Sequence, residues 1–162
     1  MTGLYRARWT DDIHEEWISA VLEQRPDLSR AQLERTRSLM DEHVLDCKVR
    51  GYRELIPSLT LPDEKDRHVL AAAIRASAEV IVTLNLKDFP AEDIERFGIE
   101  AQHPDDFVEH LIDLSSNAVC GSLRLQREAL TNPPRTPDQL LDTLEQFLPS
   151  SVAQLRQCVD TL

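Results

Sequence analysis

The sequence predicts an α/β fold, a parallel sheet flanked by helices with a small all-helical region behind it. Three observations predict it. Leu61–Ile74 reads as an acidic helix start running into a helix of small apolar residues. Val80–Leu84 follows as a short apolar strand. From Ser115 onward the chain shows helical periodicity only. The expected partition is residues 1–114 for the α/β body and 115–162 for a helical extension.

Taken in order, Tyr5, Ala7 and Trp9 alternate with Arg6 and Arg8 as in a short strand. Thr10 or Asp11 caps a helix running to about Gln24, with Ile13, Trp17, Ile18, Val21 and Leu22 as its apolar stripe. Arg25-Pro26-Asp27 breaks it. Ser29 and Gln32 form a capping-box pattern for a second helix, whose apolar side is Leu33, Leu39, Met40 and Val44. Gly51–Leu61 is a connection with strand-like Leu59 and Leu61. A third helix spans about Lys65 to Ser77, with Asp63 as its cap and Asp66 in its first turn.

Beyond the strand, Phe89-Pro90 closes a loop and a short helix follows to Arg96. Gly98 leads into a brief strand, Ile99–Gln102. Pro104 opens a helix with Phe107, Val108, Leu111, Ile112 and Leu114 as its apolar set. In the extension, Leu123, Leu125 and Leu130 line one helix, and Asn132–Arg135 stops it. Thr136-Pro137 reads as an N-cap with proline at the first helical position. Leu140, Leu141, Leu144, Phe147 and Leu148 make that helix amphipathic, and Pro149 starts a last one with Val152, Leu155 and Val159.

The formal net charge is −11. That excludes a protein that coats nucleic acid through its phosphates, because such proteins are basic. It does not exclude a nuclease that holds a metal with carboxylates, and it suits a basic partner protein. No apolar run approaches the length of a membrane span and no signal peptide is present, so a cytoplasmic protein is expected. Cys47, Cys120 and Cys158 are odd in number and show no C-x-x-C spacing; free thiols are expected.

Asp66 lies at a helix start and Asp88 just beyond a strand. Ligands of open α/β sheets sit outside the carboxyl ends of strands. Two carboxylates converging there suit a hard cation such as Mg²⁺ or Mn²⁺. The plainer alternative is that Asp66 complements a helix N-terminus and Asp88 shapes a turn.

Asp66-x-x-Val-Leu-Ala-Ala-Ala, followed by Val-Thr-Leu-Asn-x-x-Asp88-Phe, resembles the third and fourth acidic motifs of PIN-domain ribonucleases. Within that family it is most similar to the VapC-type toxins with a helical C-terminal extension, since Leu130-Thr-Asn-Pro-Pro-x-Thr-Pro-x-x-Leu-Leu-x-x-Leu resembles that extension. The resemblance implies that the acids bind Mg²⁺ or Mn²⁺ and that RNA is hydrolysed with the metal's help. It implies Glu16, ahead of apolar Trp17, as the family's second acid, with Glu15 as the fallback. Thr83 and Asn85 match polar positions of the same site, and Asp63 is a further acid near it, read as a cap before a ligand. Arg67 and His68 flank the motif as candidate phosphate contacts; a plain helix surface is the simpler reading. The resemblance also implies an antitoxin partner that blocks the acidic site. A homo-oligomer is expected, and no membrane association.

The family's first acidic motif, an apolar strand ending in Asp, has no counterpart before Trp9. About 25 residues, a strand plus a helix of ordinary length, are missing against the family pattern. A misassigned or truncated start, a retired enzyme, or a strand supplied by another chain each account for it. The leading function is therefore a metal-dependent endoribonuclease. The alternative is a catalytically inactive PIN-like protein that only engages an antitoxin or RNA. A response-regulator or phosphatase domain needs an acid ending the first strand with a placed Lys or Thr, and the sequence offers no such set.

Overall fold

The computed structural model describes residues 3–161, with side chains described as far as Cys158. The expected contribution of Val159 to the last helix lies outside the described side chains. Helices α1 (Asp11–Gln24), α2 (Arg30–His43) and α3 (Arg67–Ala76) precede strand β1 (Val80–Val82). A short helix α4 (Ala91–Ile94) and strand β2 (Glu100–Gln102) follow, then helices α5 (Pro104–Ala129), α6 (Pro137–Leu144) and α7 (Pro149–Leu155). The fold is α/β, mostly helical, with a two-stranded parallel sheet of β1 and β2. Its register is set by Glu100 N–H on the Glu79 carbonyl at 2.9 Å and Thr83 N–H on the Gln102 carbonyl at 3.0 Å.

The sheet is smaller than the sequence predicts. The strand expected over 80–84 ends at Val82, because Thr83 Oγ1 accepts the Asn85 N–H at 3.1 Å and turns the chain. The N-terminal strand is reduced to one parallel bridge, Trp9 to Lys48.

The chain divides into two compact units. One comprises Arg6–Ile81 and Leu86–Ala101. Its core gathers Tyr52, Leu59, Leu61, Leu70, Ala71, Ala72, Ala73, Ile81, Phe89, Ile94 and Ile99. The three successive alanines of α3 let its backbone come close to neighbouring elements. Thr10 caps α1, its side chain accepting the Ile13 N–H at 3.0 Å. The buried residues of α1 are His14 and Ile18, whereas Ile13 and Trp17, expected in the stripe, are only half-buried. Ser29 and Gln32 make the reciprocal capping box that opens α2. Leu33 is its buried residue, while Leu39 is exposed.

The second unit holds the described residues from Gln102 onward, with Val82–Asn85 and the short N-terminal stretch up to Tyr5. Its core is Ile112, Cys120, Leu123, Leu140, Leu141, Val152 and Leu155. α5 departs from helical geometry at Ser115 (φ −164°, ψ 86°). Beyond that kink Leu125 faces solvent, as does Leu114 before it, and Phe147 is exposed too, against expectation. A capping box of Thr136 and Gln139 starts α6 with Pro137 in its first turn. The α7 start is held by Asp105, whose Oδ2 accepts Ser150 N–H at 2.9 Å and whose Oδ1 accepts Ser151 N–H at 2.8 Å. Burial alone would raise the Asp105 pKa, but these bonds and the Ser151 hydroxyl hold it below the ordinary value. The expectation of free thiols is corrected here: Cys120 and Cys158 form a disulfide, and Cys47 is the buried free thiol.

Candidate functional site

The residues nominated from sequence lie on three local structures. Glu16 is on α1, two residues beyond buried His14. Asp66 ends a 3-10 turn, Glu64–Asp66, and occupies the N-cap position of α3 without capping it through its side chain. Asp63 caps the 3-10 turn instead, its Oδ1 accepting the Lys65 N–H at 2.9 Å. Asp88 ends a second 3-10 turn, Leu86–Asp88, after the strand.

These acids share one electrostatic environment. The Asp66 carboxyl is pushed above its ordinary pKa, first by burial and then by Asp88, Asp63 and Glu16; His68 opposes them. Glu16 and Glu15 separate cleanly. Glu15 is drawn into a surface network by Arg30 and Arg37. Glu16 instead meets α3, its Oε1 lying 2.8 Å from His68 Nε2. A sequence cannot separate adjacent glutamates by their partners when those partners lie 15 and 52 positions away.

Arg67 and His68, flagged as phosphate contacts, are engaged by protein groups. Arg67 pairs with Glu64 at 2.9 Å, and its Nε is buried without a hydrogen-bond partner. His68 is buried rather than on an open helix surface. The signal was its position three residues before Ala71 and four before Ala72, on the buried stripe of α3. Thr83 and Asn85 bond to each other within their own turn, in the segment grouped with the other unit.

The donor set fits a hard cation in kind. It is all carboxylate oxygen, and the mutual repulsion recorded at Asp66 is what a divalent ion relieves. Among the described residues, no three His, Cys, Asp or Glu side chains close into a ligating group.

A second polar cluster in the same unit escaped the sequence reading. His14 is fully buried and its Nε2 lies 3.0 Å from Asp41 Oδ1. The Trp17 indole N–H donates to His14 Nδ1 at 2.9 Å. The Trp9 indole N–H donates to Asp41 Oδ1 at 2.8 Å, and Lys48 Nζ lies 2.9 Å from Oδ2. Burial would raise the Asp41 pKa, but Trp9, Lys48 and His14 bring it down to about 2. The available signal was a histidine four residues before buried Ile18 on an amphipathic helix.

Residues 104–157 match the family described as VapC50 C-terminal domain. A Mycobacterium tuberculosis protein named "Putative ribonuclease VapC50" is 44% identical over 107 residues, taking in 66% of this chain and 63% of that protein. Over these stretches the chain is similar to VapC50. The VapC-type resemblance of the tail agrees with the match over residues 104–157, and the VapC50 relative supports a VapC-type reading of the chain. The match to VapC50 spans less than two thirds of that protein's length. No solved structure matches significantly. Among the described residues no helix is long and apolar enough to cross a membrane.

Proposed function

We propose that this protein is a metal-dependent endoribonuclease of the PIN/VapC toxin type. The observation that carries the reading is Asp66, a carboxylate destabilised by burial and by three other acids, one of them delivered from α1. Neighbouring acids that crowd one carboxyl are a common mark of a functional site. Support also comes from the VapC50 relative, whose name describes a ribonuclease.

Glu16, Asp66 and Asp88 are the ligands we assign to Mg²⁺ or Mn²⁺, with Asp63 beside them. Such an ion activates water and offsets charge on the phosphodiester. The protein's own part is to hold the acids. Asp66 stands at the N-cap position of α3, Asp63 caps the 3-10 turn that leads to it, and His68 meets Glu16. RNA is the substrate. The partner is an antitoxin that places a basic segment over the acids, and the protein acts as a homo-oligomer in the cytoplasm. We assign residues 1–114 to the nuclease body and 115–162 to its extension.

The test is cleavage of a structured RNA by the purified chain with Mn²⁺, beside Asp66→Asn and Asp88→Asn. The expected result is Mn²⁺-dependent cleavage that falls on the order of 100-fold or more in each variant. Tight antitoxin binding by a parent that cuts no RNA under any divalent ion favours the inactive binding protein instead.

A further inference from the structure

Two buried histidines of the same unit are handled in opposite ways. His14 has a partner on each ring nitrogen, Asp41 on Nε2 and Trp17 on Nδ1. His68 has Glu16 on Nε2, while its Nδ1 is buried with no hydrogen-bond partner. A buried polar atom without a partner is uncommon and asks for an explanation.

The orientation of the His68 ring supplies one. A carboxylate only accepts, so the proton between the two groups belongs to Nε2. The ring is therefore turned to serve Glu16 at the expense of Nδ1. Glu16 needs such help: its side chain is 52% exposed, whereas that of His68 is 11% exposed. A long exposed glutamate samples many rotamers. A bond from a ring packed on α3 selects one of them.

We propose that His68 is a positioning residue that holds Glu16 by its Oε1 and so fixes the acid that α1 brings to the surroundings of Asp66, where it would serve as a ligand. The role rests on the metal reading of the acid cluster given above. Asp66 also feels both Glu16 and His68, which places the pair within its field. Ligand carboxylates are commonly oriented by such outer partners, whose loss costs about 10- to 100-fold in metal affinity.

Two measurements test the role. Nitrogen NMR of the histidine rings reports the tautomer directly: His68 is expected to carry its proton on Nε2, and Glu16→Ala to shift its signals and not those of His14. A proton on Nδ1, or no response to Glu16→Ala, overturns the proposal, and this holds whether or not a His68 variant folds. Calorimetry with Mn²⁺ then compares His68→Leu and His68→Gln, with thermal midpoints taken metal-free alongside. We expect His68→Leu to lose about tenfold or more in affinity at an unchanged midpoint. His68→Gln, which retains an amide N–H donor, should recover most of it. In a Glu16→Ala background, His68→Leu should cost nothing further. Parent-like affinity in His68→Leu, or losses that simply add, overturns the positioning role alone. A parent that takes up no Mn²⁺ overturns the metal reading, and this role with it, even if the NMR pair is intact.

Discussion

Asp41 and Asp66 are both carboxylates drawn partly out of water in the same compact unit, and their surroundings treat them in opposite ways. Asp41 is met by donors from Trp9, His14 and Lys48 and is held down to about 2. Asp66 is met by other acids and pushed up. Burial raises both, so the sign of the result comes from the company each keeps. A satisfied carboxylate holds structure together. A crowded one strains it, and strain of this kind is kept where a ligand relieves it.

The largest expected effect is on the satisfied side. Asp41→Ala leaves buried His14 and the Trp9 indole without their acceptor and should destabilise the fold by roughly 3 kcal/mol, read by urea unfolding. A loss near zero would mean that the cluster is ornamental and the contrast empty. Asp105→Asn is the parallel test in the other unit. It keeps the shape but weakens the bonds to Ser150 and Ser151, and about 1–2 kcal/mol should be lost.

The pH dependence follows with its sign. The Asp41 carboxyl falls from its ordinary 3.8 to about 2 on folding. Its contribution is therefore full above the ordinary value and is lost as pH falls through the folded one. Unfolding free energy should drop between about pH 4 and pH 2, and Asp41→Asn should flatten that part of the curve. The smallest effect has the opposite direction. Above its raised folded pKa, charged Asp66 opposes folding, so Asp66→Asn should lift the metal-free thermal midpoint at pH 7 by about 1–3 °C. Adding Mn²⁺ should stabilise the parent and leave the variant unmoved. A variant that melts earlier than the parent would place Asp66 with Asp41, among the acids that hold the fold.

Legibility in the sequence followed the distance between partners. Thr10 with Ile13, Ser29 with Gln32 and Thr136 with Gln139 act across three residues, so each helix start could be read directly. The spacing of Asp66 and Asp88 was readable for the same reason, as one helix and one strand separate them. The partners of His14, His68 and Asp41 were not, being up to 52 positions apart. Hydrophobic periodicity also overcounted burial. Leu39, Leu114, Leu125 and Phe147 satisfy a helical stripe yet face solvent, because a stripe says which side is apolar and not whether anything lies against it. The disulfide of Cys120 and Cys158 joins residues 38 apart, a pairing that spacing alone does not disclose.

The three alanines of α3 set a tolerance as well as a core. Ala71, Ala72 and Ala73 are 0%, 4% and 8% exposed, on the helix whose N-cap position is Asp66. They work as shims: how closely α3 lies on its core of Tyr52, Leu59, Leu61 and Ile81 is gauged by how thin these side chains are. A methyl group or two added at Ala71 or Ala72 changes no charge and touches no acid, yet it would push the helix off that core and carry Asp66 with it. Uncharged, unreactive positions a turn behind an acid thus help to set where that acid stands.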